Sequence, residues 1–142
     1  MLKLSPHFSL DEFTNSQTAA RWGIDNTPNE TIKANLYKTA ALMEEVRRVC
    51  AQPISISSGY RCPELNRKVG GAMTSQHMEG KAVDFTARGL TIDETMQLII
   101  SSNIDYDQLI AEYSQWVHIS WSDHPRRETL EIDRDGKRVY GC

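Results

Sequence analysis

The stretch TPNETIKANLYKTAALMEEVRRVC, residues 27–50, constrains this chain more than any other. Thr27 is placed to cap, Pro28 suits the first helical position, and Glu30 completes a capping box. Ile32, Leu36, Met43, Val46 and Cys50 recur near one face at helical spacing. Lys33, Lys38, Glu44, Glu45, Arg47 and Arg48 supply a wet side, and Pro53 ends the pattern. A long helix with one apolar stripe must lay that stripe on another layer.

The rest of the chain offers strands for that layer. SLDE at 9–12 is a first capping box, Ser9 with Glu12, for a short helix expected to run to about Arg21 and stop at Gly23. ISIS at 54–57 alternates as a strand, SGYRCP turns, and PELNRKVGG is a helical turn closed by Gly70 and Gly71. Residues 72–80 read as a polar loop and KAVDFTA at 81–87 as a strand. TIDE at 91–94 opens a helix through Met96, Leu98, Ile99 and Ile100 to about Ser102. YDQLIAEY and QWVHISW are two strands joined tightly at Ser114 and Gln115, and Asp135-Gly136 marks a last hairpin turn. Helices first, then strands with a helix inserted, predict an α+β fold: a mostly antiparallel sheet with helices packed on one face, in a single domain spanning 1–142.

Composition narrows the function classes. With a net charge of −3, there is no broad cationic surface for gripping nucleic acid, so an anionic substrate must meet a local positive group. No apolar run approaches the roughly 20 residues that span a bilayer. The opening MLKLSPHFSLDEF lacks an apolar core long enough for a secretory signal. Synthesis in the cytosol and a monomeric protein are the expectations. Cys50, Cys62 and Cys142 are odd in number and irregular in spacing, so no disulfide framework is expected. Cys50 reads as a core filler and Cys142, the last residue, as mobile. The chain has no C-x-x-C pair, which excludes a thiolate zinc knuckle.

Two strands carry chemistry. In KAVDFTA, Val83 and Phe85 point one way and Ala82, Asp84 and Thr86 the other; in QWVHISW, Val117 and Ile119 oppose Trp116, His118 and Ser120. With the valines, Phe85 and Ile119 turned to the helices, Asp84 and His118 share the other face. His77, in the loop feeding the first strand, can fold over the same point. Two imidazoles and a carboxylate suit a zinc site that keeps a position for water, and a metal would offset the cost of a half-buried carboxylate. The spacing alone equally admits a His–Asp hydrogen bond between neighbouring strands.

The segments ISSGYRCPELN, SQHMEGKAVDF and DQLIAEYSQWVHISW closely resemble, in that order, the zinc D-alanyl-D-alanine carboxypeptidase family and related phage endolysins. These share a metal site with lysostaphin-type peptidases and the hedgehog signalling domain. The opening HFSLDEFTNSQTAARWGIDNTP is similar to that of small prophage-encoded members, and the resemblance covers about residues 7–121. Its sharpest element, S-x-H-x-x-G-x-A-x-D, is present as Ser75, His77, Gly80, Ala82 and Asp84; the second, W-V-H, ends in His118.

The resemblance implies a hedgehog/DD-peptidase-like fold and one zinc ion per chain on His77, Asp84 and His118. It implies hydrolysis of peptide bonds in peptidoglycan stem peptides, by a D-Ala-D-Ala carboxypeptidase or an endolysin-type endopeptidase. Arg61 would face a substrate carboxylate, or else brace its loop. Ser75 would bind substrate or hold the ligand loop. Trp116 or Trp121 would wall the cleft and stack on sugar or peptide, or pack, and Trp22 would pack at a helix end. The family usually places an acidic base three residues before the last histidine, but here that residue is Gln115, which takes no proton. Glu112 is the expected base, ahead of His7, His124, Asp105 and Asp107. The arginines after Pro125 read as a solvated loop. The product would act at the wall or in the periplasm and be phage- or prophage-encoded. The alternative is a non-catalytic zinc-containing binding or phage structural module of the same fold.

Overall fold

The long helix forms, two residues later than its sequence suggests. In a computed structural model describing residues 2–141, it runs Glu30–Cys50. Its cap is Asn29, whose side chain accepts the Ile32 N–H at 2.8 Å. Thr27 is instead held by Asp25. An asparagine directly before the helix reaches its third N–H as well as a threonine does, and Glu30 then lies in the first turn, where the helix dipole favours an acid. Ala51, at φ 53°, closes the other end before Pro53 is reached. Cys142 lies outside the described residues.

In chain order the elements are β1 (Lys3–Ser5), β2 (Phe8–Ser9), α1 (Leu10–Thr14), α2 (Gln17–Trp22), α3 (Glu30–Cys50), β3 (Ile54–Ser58) and α4 (Pro63–Lys68). A 3₁₀ turn (Gln76–Glu79) precedes β4 (Ala82–Ala87), α5 (Ile92–Ile100), β5 (Gln108–Glu112), β6 (Trp116–Ser120), β7 (Glu128–Asp133) and β8 (Gly136–Val139). The single first helix expected to Arg21 is two. Asn15 is extended and Ser16 starts a second cap, accepting from Ala19 N–H. The β5–β6 turn is centred on Tyr113 and Ser114, both at positive φ, one residue earlier than expected. Trp22 does not pack inside: it is 59% exposed, with the Lys68 ammonium 3.9 Å from its ring centre.

The main sheet has the strand order β3-β4-β6-β5-β7-β8, with only β5–β7 parallel. The fold is α+β with a mostly antiparallel sheet, as the sequence predicts. Val83, Phe85, Val117 and Ile119 are fully buried with Leu36, Met43 and Val46 of α3 and Met96 and Ile99 of α5. Cys50 is in the same core. Covering one sheet face with these helices leaves the other face to hold the polar residues of β4, β5 and β6.

Candidate metal centre

Register decides the site. Asp84 of β4 pairs directly with His118 of β6, which pairs with Ile110 of β5; Glu112 pairs with Trp116. Opposed residues of antiparallel strands share a face, so Asp84, His118, Glu112 and Trp116 stand together on the side away from the helices. His118 Nδ1 lies 3.0 Å from Asp84 Oδ1 and His77 Nε2 lies 3.3 Å from the same oxygen. The two imidazoles meet edge to face at 5.1 Å. One ligand atom from each of the three residues lies within 4.8 Å of the others.

The surroundings prepare these groups. His77 is 2% exposed, and its Nδ1 is bound to the Gly59 carbonyl at 2.7 Å. That bond fixes the ring and leaves Nε2 free to ligate, the usual arrangement of a metal-binding histidine. Gly59 has no room for a side chain: a Cβ there would come 2.5 Å from the Phe13 carbonyl oxygen. Gly80, at φ 71°, ends the 3₁₀ turn that presents His77. Burial pushes the Asp84 carboxyl up, but hydrogen bonds from His118 and His77 outweigh it and hold the group well below the ordinary range. An ionised, two-histidine-facing carboxylate fits a divalent cation.

Glu112 Oε2 is 3.7 Å from His118 Nδ1, beside the centre. Burial, and then the charge of Asp84, raise its pKa against the opposing pull of His118 and Arg61. Trp116 Nε1 is close enough to Glu112 to lower that pKa slightly without completing a hydrogen bond, and it is buried with no partner among the described residues. Gln115 is exposed in the hairpin turn. Arg61 Nε is likewise buried and unpartnered among the described residues. Its backbone N–H donates to the His77 carbonyl at 3.0 Å, which ties the SGYR turn to the ligand loop. Ser75 borders the cleft and also braces this scaffold. Its hydroxyl accepts the His77 N–H and a long contact from Arg61.

The other candidates go elsewhere. Asp107 accepts three bonds from Arg126 and one from Gln76, the neighbour of His77. The Arg126 guanidinium depresses its pKa to about 2, so it is a committed partner and no base. The two arginines after Pro125 lie in an exposed loop, as expected, but they also anchor it, because Arg127 donates to the Ile104 and Ile100 carbonyls. His7 pairs with Glu44, and His124 and Asp105 are exposed outside the cleft. Trp121 does not wall the cleft; its Nε1–H donates to Thr39 at 2.8 Å. Asn26 had no signal in the sequence. It is buried and holds the backbone on both sides of Arg61, donating to the Tyr60 carbonyl and accepting from Cys62 N–H.

Residues 6–120 match the sequence profile of the family described as Peptidase M15. The chain belongs to the peptidase M15 family. No curated protein matches it. M15 peptidases are zinc-dependent, and the His77–Asp84–His118 group of this member has the donor set such an ion needs. Membership also implies a peptide substrate. Among the described residues no helix is long and apolar enough to cross a membrane.

Proposed function

We propose that this M15 peptidase hydrolyses peptide bonds in the stem peptides of bacterial peptidoglycan and acts at the wall. The observation that supports it most is the convergence of His77 Nε2 and His118 Nδ1 on one Asp84 oxygen beside the raised-pKa Glu112. His77, Asp84 and His118 would hold zinc, which when bound supplies Lewis-acid polarisation of a carbonyl and a more acidic water. Glu112 takes a proton from the attacking water and delivers it to the amide nitrogen as the C–N bond breaks. The products are a carboxylate and an amine. Burial keeps Glu112 basic enough to accept that proton, and the guanidinium of Arg61, which borders the cleft, pairs with a substrate carboxylate. Trp116 walls the same cleft with its indole N–H turned inward.

Metal analysis together with mass spectrometry of digested muropeptides tests the reading. Wild type should carry one zinc per chain and yield new amines. His118→Ala should lose the metal. Glu112→Gln should keep it and lose about 10²–10⁴-fold in rate. A zinc-loaded wild type that cuts no stem peptide or sacculus would leave a non-catalytic module of the same fold as the better account.

A further inference from the structure

Two strands of the sheet lie outside the region that family membership accounts for. The profile match spans residues 6–120, whereas β7 and β8 follow it and extend the sheet past β5. The register shows what they add. Glu112 pairs with Trp116 on one side and with Ile132 on the other, and Ile132 pairs with Lys137. Residues opposed in this way share a face. Trp116, Glu112, Ile132 and Lys137 therefore form one row across β6, β5, β7 and β8. All of them border the cleft that holds the metal ligands. The β7–β8 hairpin thus builds one end of that cleft.

On its other face the hairpin is electrically closed. Arg138, opposite Glu131, binds that carboxylate at 3.0 Å and the Asp133 carboxylate at 2.6 Å. Lys137, on the cleft face, makes no ion pair among the described residues. Arg126, which also borders the cleft, is already committed to Asp107 at 2.7 Å. The hairpin is also fixed in place. The Tyr113 N–H donates to the Ile132 carbonyl at 2.7 Å, with Tyr113 at φ 56°. A tyrosine in the left-handed region is strained, and this posture sets its ring beside Trp116, centroids 5.6 Å apart. The β5–β6 turn is tied to β7, so the place of Lys137 relative to Glu112 is set. Two strand spacings separate their backbones, about 10 Å, which an extended peptide covers in about three residues.

From this geometry we infer that Lys137 is a specificity-determining residue: it binds a carboxylate carried by a substrate residue about three positions from the scissile bond. That carboxylate is a second one, separate from the group that Arg61 meets. The inference takes its ligand, a stem peptide, from the peptidase reading above and states which peptides the cleft prefers. A flexible ammonium with three donors suits a carboxylate met at the solvent edge, and it gains little from an uncharged amide in the same place.

The test uses the zinc-loaded full chain and two synthetic stem peptides of one sequence with the same C-terminus. One has its non-terminal carboxyl groups free; in the other they are amidated. Wild type is assayed for hydrolysis by mass spectrometry. Binding is measured by calorimetry with Glu112→Gln, which holds the peptide without cutting it. At low salt the free-carboxyl peptide should bind about fivefold more tightly, the weight of an exposed ion pair, and the advantage should shrink as salt rises. Adding Lys137→Gln should remove the difference and Lys137→Arg should retain it, with zinc content and melting temperature unchanged in both. A lysine that only keeps sheet edges from pairing would leave both affinities alone. Equal binding of the two peptides, or a difference that survives Lys137→Gln, would overturn the inference whether or not the wild type cuts. Hydrolysis of neither peptide, with the binding difference intact, would overturn the peptidase reading and leave the carboxylate site standing.

Discussion

At the scale of single residues, identity and orientation are different things. Arg61 is an arginine in a turn until its neighbours are in place: Asn26 holds the backbone on either side, and its own N–H grips the His77 carbonyl. Its guanidinium then borders the cleft, held within it by only one long contact to Ser75 among the described residues. Arg61→Lys keeps the charge and loses the planar donor fork. We expect KM for stem peptide to rise about 10-fold or more, the weight of one or two hydrogen bonds to a charged group, with zinc content unchanged. Steady-state kinetics beside metal analysis check this, and an unaltered KM would remove Arg61 from substrate binding.

At the scale of elements, the ligand loop is held from two sides. Thr39 of α3 donates to the Gly80 carbonyl at 2.6 Å and accepts the Trp121 indole N–H, locking helix, loop and the end of the ligand strand together. On the other side Asp107, before β5, binds Arg126 and Gln76. The Asp107 carboxyl is depressed to about 2 in the folded chain. The unfolded chain therefore takes up the proton first, and the stabilisation is complete above the unfolded pKa of about 4. It is lost as pH falls toward 2. With Arg126 half exposed and screened, about 1–2 kcal/mol is at stake. Acid-unfolding curves of wild type should fall more steeply between pH 4 and 2 than those of Asp107→Asn, which has no carboxylate to titrate. Parallel curves would show the pair to be worth nothing.

At the scale of the whole molecule, one sheet separates two environments: an apolar layer with α3 and α5 on one face, and an open cleft holding the polar residues on the other. The metal ligands come from an irregular loop and two strands far apart in sequence, so an ion binds the folded chain and has no preformed site in the unfolded one. Zinc at about 100 times its dissociation constant should stabilise the fold by about 2.7 kcal/mol, raising the melting temperature by about 5–10 °C for a domain of this size. Chelation should reverse the rise and His118→Ala should abolish it. Thermal unfolding with and without zinc reads this directly.

Local patterns in the chain were enough to set out most elements and the candidate site. The apolar period of 32–50, the capping boxes at Ser9 and Thr91 and the two alternating strands each rest on contacts between residues close in sequence, which composition and spacing express directly. The same alternation placed Asp84 and His118 on one face, and the loop feeding the first strand brought His77 to it; the family resemblance added Arg61, and with Gln115 at the usual base position the base fell to Glu112. Spacing could not decide between competing caps, so Asn29 displaced Thr27 and Ser16 split the first helix. Nor could it show Asn26, the Asp107–Arg126–Gln76 cluster, or the Thr39–Trp121 contact. Those depend on pairs separated by many residues, whose meeting is set only when β4, β6 and β5 take their order in the sheet and the loops close over them.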